Sequence, residues 1–358
     1  MNPFKTILSL TAAVFLCSLQ NAAAIDLSKV TLNGYIDLEY TVADYGDTPN
    51  QNNGAFHQHH LSFLLDIPVN EQVSAYTHIE FDHGANTSVK NGGDIIVENA
   101  FIRYLVCDEV QLRFGKALTP FGYYNEIHDS TPAFISVFIP RTIYRVDERG
   151  GKPMFPKWNT GINVLGTVAM KATELDYVLY VGNGENATGT GSPATNEAEA
   201  DDNKNKAYGA RVNLQPNDHT QFGLSYFNGE KATGTLTIVN VPHSTMGVLF
   251  TTNTSSFNLL AEYAQSDVNG IKDVGAYGQV TYFLSKKFTP YYRYEYTDPN
   301  DHISTDTWTE QIIGLNIKPV NNLIFKIEAS NNHRERNYTP AVPHADFNEL
   351  RMAVALYF

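Results

Sequence analysis

The chain of 358 residues is poor in cysteine, tryptophan and basic side chains. It contains 2 cysteines and 2 tryptophans, and its formal net charge is −13. Because Cys107 is the only cysteine after the N-terminal apolar stretch, no intramolecular disulfide framework is expected. The negative charge argues against a nucleic-acid partner, which would require a basic surface.

Several sequence patterns are also missing. After the N-terminal stretch, no apolar run reaches the roughly 20 residues that a transmembrane helix requires. The chain has no G-x-S-x-G nucleophile elbow and no C-x-x-C-H haem attachment site. In FHQHHLSF, regular strand alternation would put His57 and His59 on one face and His60 on the other. We therefore expect no enzyme activity, no cofactor and no metal site.

The first 24 residues have the pattern of a secretory signal peptide. One lysine precedes an apolar stretch from Ile7 to Leu19, and the segment ends in Ala22-Ala23-Ala24. A lipoprotein is the minor alternative, because Leu16 precedes Cys17 where a small residue would be expected. We expect cleavage near Ala24, export of the chain, and a single domain over residues 25–358.

The remainder of the chain is dominated by alternation of period two, the period of a β-strand. In GYIDLEYTV, for example, Ile36, Leu38 and Tyr40 alternate with Asp37 and Glu39. Sixteen such segments are predicted as strands: residues 31–42, 57–67, 73–83, 95–106, 109–117, 158–169, 173–183, 206–215, 220–228, 244–252, 255–265, 274–285, 287–297, 306–318, 322–333 and 346–358.

The connections between these segments alternate in length. Tight turns follow the even-numbered segments, and long polar connections follow the odd-numbered ones, which places both termini on the short-turn side. This pattern predicts an all-β fold, a transmembrane antiparallel up-and-down β-barrel of about 16 strands. Fourteen or eighteen strands are alternatives, as is a secreted lectin-like sandwich, which would also alternate.

The chain ends in LRMAVALYF, with apolar residues at every second position. Leu350, Met352, Val354, Leu356 and Phe358 share one strand face. This ending resembles that of the bacterial outer-membrane porin superfamily. The resemblance implies that Val354, Leu356 and Phe358 form the signal read by the barrel-assembly machinery. It also implies residence in the outer membrane of a Gram-negative bacterium, contact with its lipid, and a homotrimer as the candidate assembly.

One connection, from Ala117 to Lys157, is long and rich in aromatic and aliphatic residues that must pack on something. Its start is similar to the phosphate-selective O/P porins at Arg113, Gly115, Pro120, Phe121 and Gly122. The porin resemblance implies that this third loop folds into the pore. We expect a constriction that includes Arg141, Arg145, Arg149, Lys152, Glu126 and Asp129.

The predicted strand register also places charges on the pore wall. The main wall residues are Arg103, Arg113, Arg211, Arg293, Arg351, Asp37, Glu39, Glu80, Glu262 and Glu295. Lys326 adds one base, and Asp66, Asp82, Asp176, Glu310 and Glu328 add five acids, so acids outnumber bases. This balance predicts weak cation preference and departs from the arginine ladders of a phosphate site.

The predicted function is a passive diffusion channel for small hydrophilic solutes or ions, with size exclusion and charge filtering at the constriction. The alternative is a barrel that acts as a scaffold around a partner, such as a multihaem cytochrome conduit.

Overall fold

The computed structural model describes residues 26–44, 54–82, 93, 95–127, 130–144, 153–185, 205–233, 239–338 and 345–358. The predicted signal peptide lies outside these ranges. Within them, no helix has the length and apolar character needed to cross a membrane. The helical elements described there are two short 3-10 turns, Leu27–Lys29 and Thr131–Ala133.

The described residues form seventeen strand segments in one sheet. They are β1 (Thr31–Asp44), β2 (Ala55–His57), β3 (His60–Pro68), β4 (Val73–Asp82), β5 (Ile95–Cys107), β6 (Val110–Leu118), β7 (Trp158–Met170), β8 (Thr173–Gly182), β9 (Ala207–Asn217), β10 (Thr220–Thr233), β11 (Val239–Asn253), β12 (Phe257–Val268), β13 (Ile271–Tyr282), β14 (Phe288–Asp298), β15 (Trp308–Val320), β16 (Leu323–Arg334) and β17 (Ala345–Tyr357).

These segments make a closed barrel of sixteen strands. β2 and β3 both pair with β1 and are two parts of one interrupted strand. Each later strand pairs antiparallel with the next, and β17 pairs with β1 from Tyr35 opposite Tyr357 to Asp44 opposite Asn348. The predicted fold class and strand number are confirmed.

The two faces of the wall have opposite chemistry. In β16, Phe325 and Ile327 are 43% and 40% exposed, whereas Lys326 and Glu328 between them are buried. Most of the other strands alternate in the same way, so the outer face is mainly apolar and the inner face mainly polar, apart from a buried apolar patch on β10 to β13. A soluble sandwich would bury its apolar face instead, and a transmembrane barrel exposes it to lipid.

The predicted tight turns are confirmed, but the strict alternation of loop lengths is wrong. Two to five residues separate β3 from β4, β5 from β6 and each later pair on that side of the barrel. On the other side, the connection between β12 and β13 is also tight, because it consists only of Asn269 and Gly270. Both have positive φ, 54° and 87°, as a two-residue Asn-Gly hairpin turn requires. The predicted strands ended at residue 265 and resumed at residue 274, whereas β12 continues to Val268 and β13 begins at Ile271.

The second predicted strand contains a bulge that the alternation did not reveal. Ile36 pairs with Leu61 and Glu39 pairs with His57, so two residues of β1 lie opposite three residues of the incoming strand. One extra residue in one strand of an antiparallel pair is a β-bulge, which turns side chains away from their regular face.

The barrel closes at its last residue. The Gly34 N–H donates to the Phe358 carbonyl oxygen, and the Phe358 N–H donates to the Gly34 carbonyl oxygen, both at 2.9 Å. The Phe358 ring lies where a side chain at position 34 would be, 2.6 Å from an ideal Cβ, and packs edge-on against Phe63. A glycine at position 34 therefore leaves room for the terminal aromatic ring at the seam, the junction where β17 pairs with β1.

Candidate pore lumen and its long loop

The described part of the 119–157 connection, here called the long loop, packs against the interior of the barrel. Phe121 stacks on Phe155 with ring centroids 4.1 Å apart. Together with Tyr124, they belong to one apolar cluster with Leu249 of β11 and Tyr277 of β13. Burying aromatic side chains gains free energy in proportion to the area removed from water. The apolar side chains of the loop are thus buried against the inner wall.

Glu262 of β12 receives three donors. The Tyr123 N–H donates to Oε1 at 2.8 Å, and the Tyr144 hydroxyl donates to Oε2 at 2.7 Å. The Tyr277 hydroxyl of the neighbouring strand also donates to Oε2. Burial, together with the adjacent carboxylate, raises the pKa of Tyr144 well above its usual range, so its hydroxyl remains a donor.

Lys326 of β16 binds the loop backbone. Its Nζ donates to the carbonyl oxygens of Phe134 and Ser136, both at 2.7 Å, and also to that of Thr131. The ammonium group lies 4.3 Å from the centroid of the Phe134 ring. An ammonium group has three donor protons, and all three are directed to the loop.

Arg351 of β17 lies at the centre of a buried group of carboxylates. It pairs with Glu310 of β15, with Glu328 of β16 at 3.3 Å and with Glu349 of its own strand. Arg141 of the long loop adds a second guanidinium, 2.9 Å from Glu349 and 3.9 Å from Glu310. The loop arginine therefore leaves three carboxylates against two guanidinium groups and reduces the excess negative charge of this cluster.

A second arginine of the same wall, three strands away from Arg351, also holds the loop. Arg293 of β14 lies 2.8 Å from Glu295 and donates to the Phe138 carbonyl oxygen at 3.1 Å. Glu295 in turn accepts from the Thr142 N–H at 3.1 Å. Both side chains are fully buried under the loop.

The opposite wall has a more open arrangement. Glu126 of the long loop lies 3.2 Å from Arg113 of β6 and 2.5 Å from Arg211 of β9, and Arg103 of β5 pairs with Asp66 of β3. The three arginine side chains are 17–25% exposed. Among the inward arginines of the described strands, these three have partly exposed side chains, whereas Arg293, Arg334 and Arg351 are buried.

Comparison with known proteins agrees with this architecture. The family model for phosphate-selective porin O and P matches residues 177–358, half of the chain. The chain belongs to this porin family. Its fold and family are those of outer-membrane channels of Gram-negative bacteria. None of the curated protein sequences matches this porin.

Solved structures of other porins share the fold of this one. The outer-membrane channel DcaP of Acinetobacter baumannii superimposes with a TM-score of 0.65 at 12% identity, over 94% of this chain and 100% of that one. The anion-selective porin from Comamonas acidovorans gives a TM-score of 0.64 at 10% identity, over 92% and 99%. OmpF of Salmonella typhi gives a TM-score of 0.64 at 11% identity, over 92% and 97%.

The structure places the predicted wall carboxylates of the porin on the inner face. Glu80 accepts from the hydroxyls of Tyr35 at 3.0 Å and Ser62 at 2.9 Å. Asp37 accepts from the His60 N–H at 2.8 Å, and Glu39 lies 3.1 Å from the His59 Nδ1 atom. Of the predicted constriction residues, Arg141 and Glu126 contact opposite walls, whereas Arg145, Arg149, Lys152 and Asp129 lie outside the described residues.

Sequence reasoning missed a buried carboxylate–histidine–serine chain in the porin. The His243 Nδ1 atom contacts Glu185, and its Nε2 atom lies 2.8 Å from the Ser266 hydroxyl and 3.0 Å from the Met154 carbonyl oxygen. These side chains are at most 1% exposed, so no substrate can reach them. Their contacts attach the end of the long loop to β11 and β12.

The structure brings together three side chains that could hold a metal ion, whereas strand alternation predicted that the histidines would be separated. One ligand atom each from His59, His60 and Asp82 lies within 4.8 Å of the others. The placement differs because the bulge between β2 and β3 interrupts the alternation and lets both His59 and His60 face the interior. The available signal was the cluster of histidines in FHQHHLSF, and regular alternation was the wrong rule for placing them.

Proposed function

We propose that this porin is a passive diffusion channel for small hydrophilic solutes and ions. The observation that carries the proposal is the closed barrel with an apolar outer face and a polar interior, in which the long loop is bound to inner-wall side chains. A loop held there reduces the free cross-section, so solutes are filtered by size and by charge.

Conductance in planar bilayers tests this proposal. Deleting residues 134–144 removes the part of the long loop that binds Lys326 and Arg293, and we expect a higher single-channel conductance. Deleting residues 300–305, in the connection between β14 and β15, is the matched control and should leave conductance unchanged. A loop-deleted porin that inserts normally and conducts like the parent would contradict a constriction formed by this loop.

The charges favour weak cation preference over phosphate or anion selectivity. Among the described residues, carboxylates outnumber cations at buried positions: Asp37, Glu39, Glu80, Glu98, Glu185, Glu262, Asp273, Glu295, Asp306, Glu310, Glu328 and Glu349 against Arg141, Arg293, Lys326, Arg334 and Arg351. An interior with excess negative charge attracts cations. The reversal potential in a potassium chloride gradient should therefore have the sign of a cation-preferring pore, and the opposite sign would refute this preference.

The last residues support a role in assembly. Phe358 is half exposed and anchors the seam through Gly34 and Phe63, and Leu356 and Val354 share its outward face. Removing Phe358 should reduce the yield of folded barrel in the outer membrane more strongly than removing an exposed aliphatic residue of a connection, such as Ile303. Normal assembly of a chain that ends at Tyr357 would contradict this role.

A homotrimer is the proposed assembly. OmpT of Vibrio cholerae has been solved in a trimer form and shares the fold at a TM-score of 0.57 and 14% identity. Chemical crosslinking of the porin in native membranes should yield a species of three chains. The scaffold alternative is not favoured, because the interior is occupied by the long loop of the chain itself.

A further inference from the structure

The bulge between β2 and β3 concentrates metal-binding side chains at one point of the lumen. His59 lies in the bulge, and His60 begins β3 directly opposite Asp82, the last residue of β4. The two imidazole rings lie side by side, with centroids 3.8 Å apart. Two imidazole nitrogens and one carboxylate oxygen thus converge from adjacent strands.

Two carboxylates of β1 orient the two histidines. The His60 Nδ1 atom lies 2.9 Å from Asp37 Oδ2, and the His59 Nδ1 atom lies 3.1 Å from Glu39 Oε2. Asp37 and Glu39 are two residues apart, so they lie on the same face of β1. A histidine that ligates a metal through Nε2 commonly donates its Nδ1 proton to a carboxylate, which fixes the ring and raises its basicity.

The distances are compatible with a metal ion after small side-chain rotations. His59 Nε2 lies 4.0 Å from Asp82 Oδ1, and the three ligand atoms lie within 4.8 Å of one another. Ligands of tetrahedral zinc lie about 2.1 Å from the metal and hence about 3.4 Å from each other. The Asp82 side chain is 23% exposed and lies at the end of β4, and rotation of this side chain toward the histidines would close the distance.

The site is reachable and negatively charged. His59 and Asp82 are both partly exposed, so an ion in the lumen can approach them. Three carboxylates lie beside the histidines, because Asp37 contacts His60 and Glu39 and Asp82 contact His59. Their negative charge favours a divalent cation.

We propose that His59, His60 and Asp82 bind a divalent transition-metal ion, with zinc as the best match. Two imidazoles with one carboxylate suit zinc, copper or nickel, whereas calcium and magnesium prefer ligand shells made of oxygen. Asp37 and Glu39 are the positioning residues of the site. Because Thr131 of the long loop also donates to Asp37, the bound metal lies beside the loop.

Isothermal titration of the purified full-length porin in detergent with zinc chloride tests the site. We expect saturable binding of one zinc per chain and no comparable binding of calcium. His59→Gln and Asp82→Asn should each weaken zinc binding at least about tenfold, as loss of a coordinating or orienting group typically does. Cobalt(II) in place of zinc should give the visible absorption of a tetrahedral complex in the parent and lose it in both variants.

His57→Gln is the matched control, because His57 lies exposed on β2 just before the bulge. It should bind zinc like the parent, and heat-modifiability on gels verifies that every variant folds. The proposal is wrong if no saturable binding occurs, if both ligand variants bind like the parent, or if His57→Gln weakens binding as much as they do.

A second measurement rests on the proposed channel function. Zinc added to planar bilayers should lower the conductance of the parent reversibly, with recovery on adding a chelator, and leave His59→Gln unaffected. Zinc binding in solution without a change in conductance would uphold the metal site and count against an ion path that passes it.

Discussion

Two walls of the same barrel carry inward charges that differ in their accessibility. On the covered wall, β12 to β17, the loop lies over Arg293, Lys326 and Arg351, which are at most 3% exposed. On the open wall, β5 to β9, the side chains of Arg113 and Arg211 are 21% and 17% exposed. Strand alternation places all five residues inside. Residues that the loop covers have a structural role, and residues that it leaves exposed can contact a solute.

The energetic consequences of the two arrangements also differ. A buried ion pair that loses one partner leaves an uncompensated charge away from water, which costs several kcal/mol. An exposed pair is weakened by water and salt and typically contributes under about 1 kcal/mol. Removing a charge from the covered wall should therefore mainly change stability, and removing one from the open wall should mainly change selectivity. The sign of the parent's ion preference follows from the total buried charge of the barrel.

The strongest test of this difference is Arg351→Met. It leaves Glu310, Glu328 and Glu349 buried without their shared guanidinium, so we expect a loss of about 3–5 kcal/mol in folding free energy. Urea unfolding of the porin in lipid vesicles, followed by gel mobility, measures it. Arg103→Met on the open wall is the control and should cost less than about 1 kcal/mol. Equal losses in the two variants would remove the distinction between the walls.

The next largest effect is expected from Lys326→Met. Three loop carbonyl groups lose their charged donor, and we expect a destabilisation of about 3 kcal/mol together with increased fluctuation of the single-channel current. Lys116→Met is the matched control, since Lys116 lies over the Trp158 ring on the open wall. If Lys326→Met has the folding free energy and the current fluctuation of the parent, this lysine does not hold the loop.

On the open wall, Arg211→Gln should change selectivity rather than stability. Removal of a partly exposed cation favours cation passage, by less than about fivefold, since an exposed pair is worth up to ~1 kcal/mol. The reversal potential in a potassium chloride gradient measures this shift, and urea unfolding should be that of the parent. An unchanged reversal potential would place Arg211 outside the path of the ions, and a shift toward anions would contradict the expected sign.

The smallest effect should come from Glu126→Gln, which has the opposite sign. This change frees both Arg113 and Arg211 from their shared carboxylate, so anion passage should rise slightly. The same reversal-potential measurement applies, and the double variant Glu126→Gln with Arg211→Gln should return toward the parent. If the reversal potentials of Glu126→Gln and Arg211→Gln shift in the same direction, the two residues do not act on a shared ion path.

The sequence by itself determined the barrel. Along each strand, residues suited to lipid alternate with residues suited to the barrel interior. In β16, Phe325 and Ile327 face outward, and Lys326 and Glu328 face inward. This information is local, because lipid and the polar interior select side chains position by position. Class, strand number and the identity of most inward charges, including Arg293 and Arg351, could therefore be predicted.

Only the tertiary structure decided which inward residues act together. Lys326 binds carbonyl groups almost 200 residues away in the chain, and Arg141 binds Glu349, 208 residues further along. No local pattern encodes such contacts, since they depend on where the long loop lies. The bulge that brings His59 beside His60 was equally hidden, because a single inserted residue reverses the faces of a strand without changing its composition.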